Sequence, residues 1–264
     1  MKNSNLSTLT IRALFLLFLA AISFRSFGAA KQEYYEVRIY HVYGGQEGKV
    51  DAFLKDVYLP ALHRTGISKV GVFKPLDTDI ESGKLIFLFI PFKTSEQYIM
   101  LAEVLAKDQV YQEAGKSFLD APYNEPPYIR NESIFLKAFL NMPQPNFPEY
   151  TNPASERVYE LRSYESATDA KAIKKIEMFN QGGEIDIFTS QKFNAVFYGE
   201  VLAGSARPNL MYMTTFTDLK SREEHWKAFG NTAEWKRLSA LEEYKNTVSS
   251  ITRYLLHPTD YSDF

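Results

Sequence analysis

Hydrophobic and polar positions alternate from Tyr34 to Val42, in "YYEVRIYHV", and many of these residues are aromatic or β-branched. That pattern predicts a strand. The spacing then turns helical: Leu54, Val57, Ala61 and Leu62 form one apolar face of a helix predicted over Lys49–Arg64, with Gly66 just past its end as a stop signal. Pro60 should kink or break the last turn of that helix, because its ring removes a backbone donor and clashes one turn back. Two strands follow at Lys69–Leu76 and Lys84–Phe92, joined by the acidic, glycine-containing "DTDIESG" as a hairpin loop. A second helix is expected over Ser95–Gly115 and a fourth strand over Glu132–Leu140. The order β-α-β-β-α-β is that of a ferredoxin-like unit.

The pattern then starts again. "VYELRSY" at Val158 repeats "YYEVRIY" at Tyr34, matching Tyr35/Tyr159, Glu36/Glu160, Arg38/Arg162 and Tyr40/Tyr164 at a constant offset of 124. The same offset pairs Val72/Val196, Phe73/Phe197, Phe92/Phe216 and the aromatic pair Tyr111/Trp235. Near the end the best sequence match shifts to an offset of 117, "SIFLKAFL" at Ser133 against "SITRYLLH" at Ser250. Dispersed blocks on nearly one diagonal indicate a duplicated unit. The expected organisation is an export signal over 1–30, a first ferredoxin-like domain over 31–142, a proline-rich linker over 143–156 and a second domain over 157–264. A four-stranded antiparallel sheet with helices on one face leaves the other bare, and two such sheets in one chain can cover each other. The expected fold is therefore α+β: two fused ferredoxin-like units forming an intrachain α+β barrel.

Four segments of the second copy, "YELRSY", "AVFYGEVLAGSARPNLMYMTTF", "HWKAFGNTAEWKRL" and "LLHPTDYSDF", together resemble a NIPSNAP domain, over Arg157–Phe264 nearly throughout. The first copy, Gln32–Met142, resembles it more faintly through "YEVRIY" and "VGVFKP". NIPSNAP domains belong to the dimeric α+β barrel superfamily, so the resemblance implies that fold. It carries no catalytic constellation. Some barrel relatives degrade heme, act as cofactor-free monooxygenases or are sugar mutarotases, and fold analogy alone does not transfer those activities. No cofactor is expected from the residues themselves, and heme is the one cofactor the resemblance would admit.

Composition narrows the picture. Of 264 residues 45% are hydrophobic and 15% aromatic, enough for a sizeable core, and the net charge is -2. Lysine and arginine are interspersed with acids, so a nucleic-acid surface is not expected. The absence of cysteine excludes disulfides, thiolate metal sites and cysteine nucleophiles. At the N-terminus Lys2 and Arg12 precede the apolar run "ALFLLFLAAISF" and the small residues "SFGAA". That is the pattern of a cleavable signal, with cleavage near Gly28 or Ala30 and a periplasmic or secreted destination. No membrane anchor is expected after cleavage. A homo-oligomer is compatible with the fold but not required by it, since the tandem chain can close a barrel alone.

The repeated strand supplies the candidate chemistry. Alternation puts Tyr35, Val37 and Ile39 on one face and Glu36, Arg38 and Tyr40 on the other, and likewise separates Tyr159 and Leu161 from Glu160, Arg162 and Tyr164. The apolar set is expected on the helices and the Glu-Arg-Tyr set inside the barrel. There the ion pairs would either tie the sheets together or form a polar pocket, in which arginine binds an anionic or hydroxylated small molecule and tyrosine donates or relays a proton. A non-enzymatic interaction surface on the barrel exterior is one alternative, and a monooxygenase-like or heme-handling enzyme is the other. The histidines, His41, His63, His225 and His257, form no metal motif. His225, near a helix start, is the one placed to face a ligand at the barrel mouth. "KAIKKIEMF", Lys171–Phe179, predicts an amphipathic helix with a solvated basic face.

Overall fold

In the structure, a computed structural model that describes residues 30–264, the alternating opening segment forms β1, Tyr34–His41. The first helix begins earlier than expected, as α1 over Gln46–Phe53, passes through one π turn at Leu54–Tyr58 and ends as α2 over Leu59–Arg64. Pro60 lies in the first turn of α2, and the wider π turn just before it accommodates the missing N–H without breaking the rod. β2, Gly71–Pro75, and β3, Leu85–Phe92, follow. The expected second helix is two: α3, Ser95–Lys107, and α4, Gln109–Leu119. Asp108 divides them by adopting extended backbone and accepting the Tyr111 N–H as an N-cap. β4, Arg130–Ala138, closes the first unit.

The second unit repeats this order: β5, Val158–Glu165; α5, Asp169–Asn180; α6, Glu184–Ser190; β6, Asn194–Ala203; β7, Asn209–Phe216; α7, Leu219–Asn231; α8, Ala233–Ser239; β8, Ser250–Pro258. Gly183, with φ of 87°, supplies the left-handed residue between α5 and α6. The eight strands form a closed antiparallel barrel in the order β1-β3-β2-β8-β5-β7-β6-β4. Each half runs 4-1-3-2 in its own numbering, and two seams join the halves: β2 with β8, and β4 with β6. Hydrogen-bond register also corrects the last repeat. Glu36 lies opposite Phe135 and Arg38 opposite Ser133, whereas Glu160 lies opposite Leu255 and Arg162 opposite Arg253, so the structural offset is 253 − 133 = 120 rather than 117.

The faces are the reverse of the expected ones. Tyr35, Val37, Ile39, Tyr159 and Leu161 pack inward with Phe73, Phe87, Phe89, Phe197, Met211 and Met213 in a cluster drawn from both halves. That cluster is the barrel interior. Tyr40 and Tyr164 instead join the layers between sheet and helices, each drawn mainly from one half. A closed interior cannot hydrate a carboxylate or guanidinium, and burying one there would cost several kcal/mol. The helix layer can supply donors, so the ionic rows face it. "LIFLFIPF" serves both sides, with Leu85, Phe87 and Phe89 inward and Ile86, Leu88, Ile90 and Phe92 under the helices. Phe264 reaches the interior cluster, with ring centres 5.7 Å from Phe73 and 4.8 Å from Phe147 of the linker.

The expected export signal falls on residues 1–30, of which 1–29 lie outside the described residues. Among the described residues no helix is long and apolar enough to cross a membrane.

Candidate functional site

β5 projects Glu160 into the layer beneath α7, where it is fully buried. Its carboxylate accepts four hydrogen bonds: from Arg162 Nε at 2.7 Å, from Arg222 Nε and Nη2 at 2.8 Å each, and from the Trp226 indole N–H at 2.7 Å. Arg222 therefore grips Glu160 with both prongs of its fork, the strongest ion-pair geometry available to arginine. Burial pushes the Glu160 carboxyl up, but the Arg222 hydrogen bonds and the charges of Arg162 and Arg222 outweigh it and hold it below its ordinary value. Arg162 continues the chain, donating Nη1 to Tyr164 OH at 3.1 Å, and Tyr164 meets Tyr212 OH at 2.8 Å. The Arg162 guanidinium lies 3.9 Å from the centre of the Trp226 ring. The Glu160 carboxylate, the Nε and Nη1 of Arg162 and the Tyr164 hydroxyl are thus engaged by the protein itself.

The first half begins identically and ends differently. Arg38 donates Nε and Nη2 to Glu36 at 2.9 and 3.1 Å, and Ser133 Oγ donates to Glu36 Oε1 at 2.7 Å. α3 and α7 are both 13 residues long and begin 219 − 95 = 124 residues apart, so Tyr98 stands where the second half has Arg222, and Ala102 where it has Trp226. Tyr98 spends its hydroxyl on Ser133 at 3.1 Å, and Ala102 is exposed. A cavity of about 510 Å³ opens here, walled by Arg38, Tyr58, Tyr98, Ala102, Leu105 and Tyr111. Arg38 keeps 21% of its side chain exposed, against 1% for Glu36.

Tyr58 completes the site. It is 2% exposed, its ring centre is 5.2 Å from the Arg38 guanidinium, and its hydroxyl is buried without a hydrogen-bond partner. Such an orphan costs about 1–3 kcal/mol. Burial pushes the Tyr58 phenol up, with Arg38 opposing, and burial pushes Tyr111 to about 12. Both phenols stay neutral at ordinary pH and act as hydrogen-bond groups. Tyr40 is buried against Tyr128, 5.1 Å between ring centres; burial raises its phenol and the Arg38 charge lowers it in part.

The candidate residues therefore separate into three groups. Glu36, Arg38 and Tyr40 lie at or beside an open cavity; Glu160, Arg162 and Tyr164 form a closed network; His225 stands apart from both. His225 borders a groove of about 640 Å³ lined by the linker and α6, where Nδ1 lies 2.6 Å from Ser221 O. Polar groups in that groove already satisfy one another: Tyr150 OH meets Thr215 Oγ1 at 2.6 Å and receives Asn194 Nδ2 at 3.1 Å. The other histidines face neighbours, with His41 Nε2 2.6 Å from Glu132 and His63 Nε2 2.9 Å from Asp263. Among the described residues no group of three or more histidine, aspartate or glutamate side chains is placed to hold a metal.

Arg222, Trp226 and Tyr58 were not read from the sequence as site residues. For Arg222 and Trp226 the signal available was two exchanges at the repeat offset, Tyr98/Arg222 and Ala102/Trp226, each placing a large donor where the first copy has a neutral or small side chain, but they lie in helices that share no identical position at that offset. The basic face of α5 also differs from expectation. Lys175 is 5% exposed and donates to Glu184 at 2.7 Å, beneath the Phe179 ring at 4.8 Å, rather than facing solvent.

Residues 159–263 match the model of the NIPSNAP family. Solved structures share the complete barrel. A monooxygenase candidate from Fusobacterium nucleatum matches at 10% identity, covering 87% of this chain and 93% of its own, with a TM-score of 0.53. An anthrone oxidase-like protein matches at 9% identity, covering 88% and 93%, with a TM-score of 0.51. At these identities they show the fold alone: a dimeric α+β barrel. An uncharacterized NIPSNAP-like domain protein from Burkholderia xenovorans matches at 17% identity over 40% of this chain and 89% of its own, with a TM-score of 0.37. No curated protein matches the chain.

Proposed function

We propose that this protein binds a small organic molecule in the cavity between the first-half sheet and α3–α4, not in the barrel interior. One observation carries this reading. A cavity of about 510 Å³ holds a partly exposed arginine and a buried, unpartnered tyrosine hydroxyl, with Glu36, Gln112 and Ser133, on walls otherwise aromatic and aliphatic. Small-molecule sites have this make-up: apolar walls, a few convergent polar groups and a volume of roughly 300–1,000 Å³. Arg38 is already neutralised by Glu36, so the site favours an uncharged polar ligand group over a strongly charged one. The filled interior favours no ligand there, because its aromatic cluster leaves the two halves in direct contact. The destination outside the cytoplasm, expected from the N-terminal sequence, fits a protein that collects such a molecule from its surroundings.

The test is a ligand-observed NMR screen of small aromatic and aliphatic fragments against the protein and its Arg38→Met variant. Fragments that bind the parent should lose at least tenfold in affinity in the variant, with the far-ultraviolet circular dichroism unchanged. Fragments that bind both equally would place the site elsewhere and overturn the reading.

A further inference from the structure

The second half of the molecule fills the equivalent space with its own side chain, and that side chain describes what the first half is shaped to receive. Trp226 lays its ring against the Arg162 guanidinium at 3.9 Å and donates its indole N–H to Glu160 Oε2 at 2.7 Å. At the matching position the first half has Ala102, exposed at the mouth of the cavity. Arg38 has the same Nε contact to its glutamate as Arg162; its side chain is 21% exposed against 14% for Arg162, and its guanidinium has the Tyr58 ring at 5.2 Å where Arg162 has the indole at 3.9 Å. The two glutamates also differ by the bonds the indole and Arg222 supply. Glu160 Oε2 accepts from Arg222 Nε and Trp226 Nε1, whereas Glu36 Oε2 accepts from Arg38 Nη2 alone.

We propose that the first-half cavity takes a flat aromatic molecule with one N–H or O–H donor on its edge, of the indole or phenol class, stacked on Arg38. The proposal rests on the small-molecule reading above and names the class of molecule. The ring quadrupole attracts a guanidinium, and a ligand ring on the cavity side of Arg38 would take the place that Trp226 holds against Arg162 in the other half. The donor edge addresses Glu36 Oε2, as the indole N–H does Glu160. The Tyr58 hydroxyl, buried and unpartnered on the same cavity wall, accepts or donates to a second polar group on the ligand. Ring-bearing walls at Tyr98 and Tyr111 favour a planar body over a branched one.

The experiment is isothermal titration of the protein with three probes: indole, 1-methylindole, which keeps the shape and lacks the donor, and benzoate, which keeps a ring but offers only acceptors. Two variants accompany it. Ala102→Trp rebuilds in the first half the side chain that plugs the second, and Trp226→Ala opens the second half. Indole should bind the parent at one site, at least tenfold more tightly than 1-methylindole, and its binding should vanish in Ala102→Trp. Trp226→Ala should bind a second indole and regain part of its lost melting temperature when indole is added. If that variant does not fold, Ala102→Trp and the 1-methylindole comparison still decide. Benzoate binding that is lost in Ala102→Trp, with no indole binding, would overturn the donor-bearing aromatic and leave the small-molecule reading standing. Indole binding that survives in Ala102→Trp, or equal binding of 1-methylindole, would overturn the proposal. Failure of all three probes together with an empty fragment screen would overturn both.

Discussion

Replacing Arg222 with methionine tests how the second half is held together. Glu160 is fully buried and has two of its four hydrogen bonds from the Arg222 fork. The variant leaves a buried carboxylate with only Arg162 and Trp226 as partners. Removing one partner of a buried pair costs about 3–5 kcal/mol, and since Arg162 still neutralises Glu160 the lower end, about 3 kcal/mol, applies here. For a folded unit of this size each kcal/mol lowers the melting temperature by roughly 2–4 °C, so a drop of about 10 °C is expected. Urea denaturation monitored by circular dichroism gives the free energy, and a cycle with Glu160→Gln isolates the pairwise part. With the carboxylate removed first, Arg222→Met should cost about 1 kcal/mol, leaving a coupling of about 2 kcal/mol. The pH dependence supplies a second readout. A carboxyl held below its ordinary value stabilises the fold above about pH 4.3 and loses that contribution as pH falls through its folded-state value. Arg222→Met should therefore show a shallower loss of stability in acid than the parent. A cost below 1 kcal/mol, or strictly additive single variants, would refute the fork as the element that closes the second half.

Three further outcomes follow from the same contacts. Tyr98→Phe, which removes only the neutral bond to Ser133, should cost about 0.5–1.5 kcal/mol by urea denaturation, well below Arg222→Met at the matched position. Lys175→Met deprives Glu184 of its ion-pair partner. Burial already raises the Glu184 carboxyl against the opposing charge of Lys175, so the variant should lose more stability than the parent as pH rises above about 4.3, the ordinary glutamate value; parallel profiles would count against it. Phe264→Ala removes a ring packed against Phe73, Phe147 and Tyr159, and should cost about 3 kcal/mol in a thermal or urea melt.

The duplication and the order of elements were legible because alternation and helical spacing are local properties, repeated on one diagonal. The choice of faces was not. On β1 either alternating set can point inward, and only closure of the barrel, which dries the interior completely, drives Tyr35, Val37 and Ile39 there and sends Glu36 and Arg38 to the helices. Splitting of the helix at Asp108 was legible in principle, since aspartate caps helices well, but an uninterrupted run of helix formers concealed it. The register of β4 and β8 was not legible at all. Which residue faces Arg38 is set by hydrogen bonding across the sheet, and the sequence match at Ser250 points three residues away from the true partner, Arg253. The open cavity depended on a difference between copies, Ala102 against Trp226, that a search for similarity passes over.

The two seams of the barrel lie within one polypeptide, and this has a consequence for what the halves are free to become. In a barrel assembled from two identical chains, any residue introduced to wedge one side shut is introduced on the other side as well, and the assembly must keep both recesses or neither. Covalent continuity lifts that constraint. One lobe can be locked by a stacked indole and a forked cation while its twin stays vacant, so rigidity and receptivity are divided between the copies instead of being traded against each other in each.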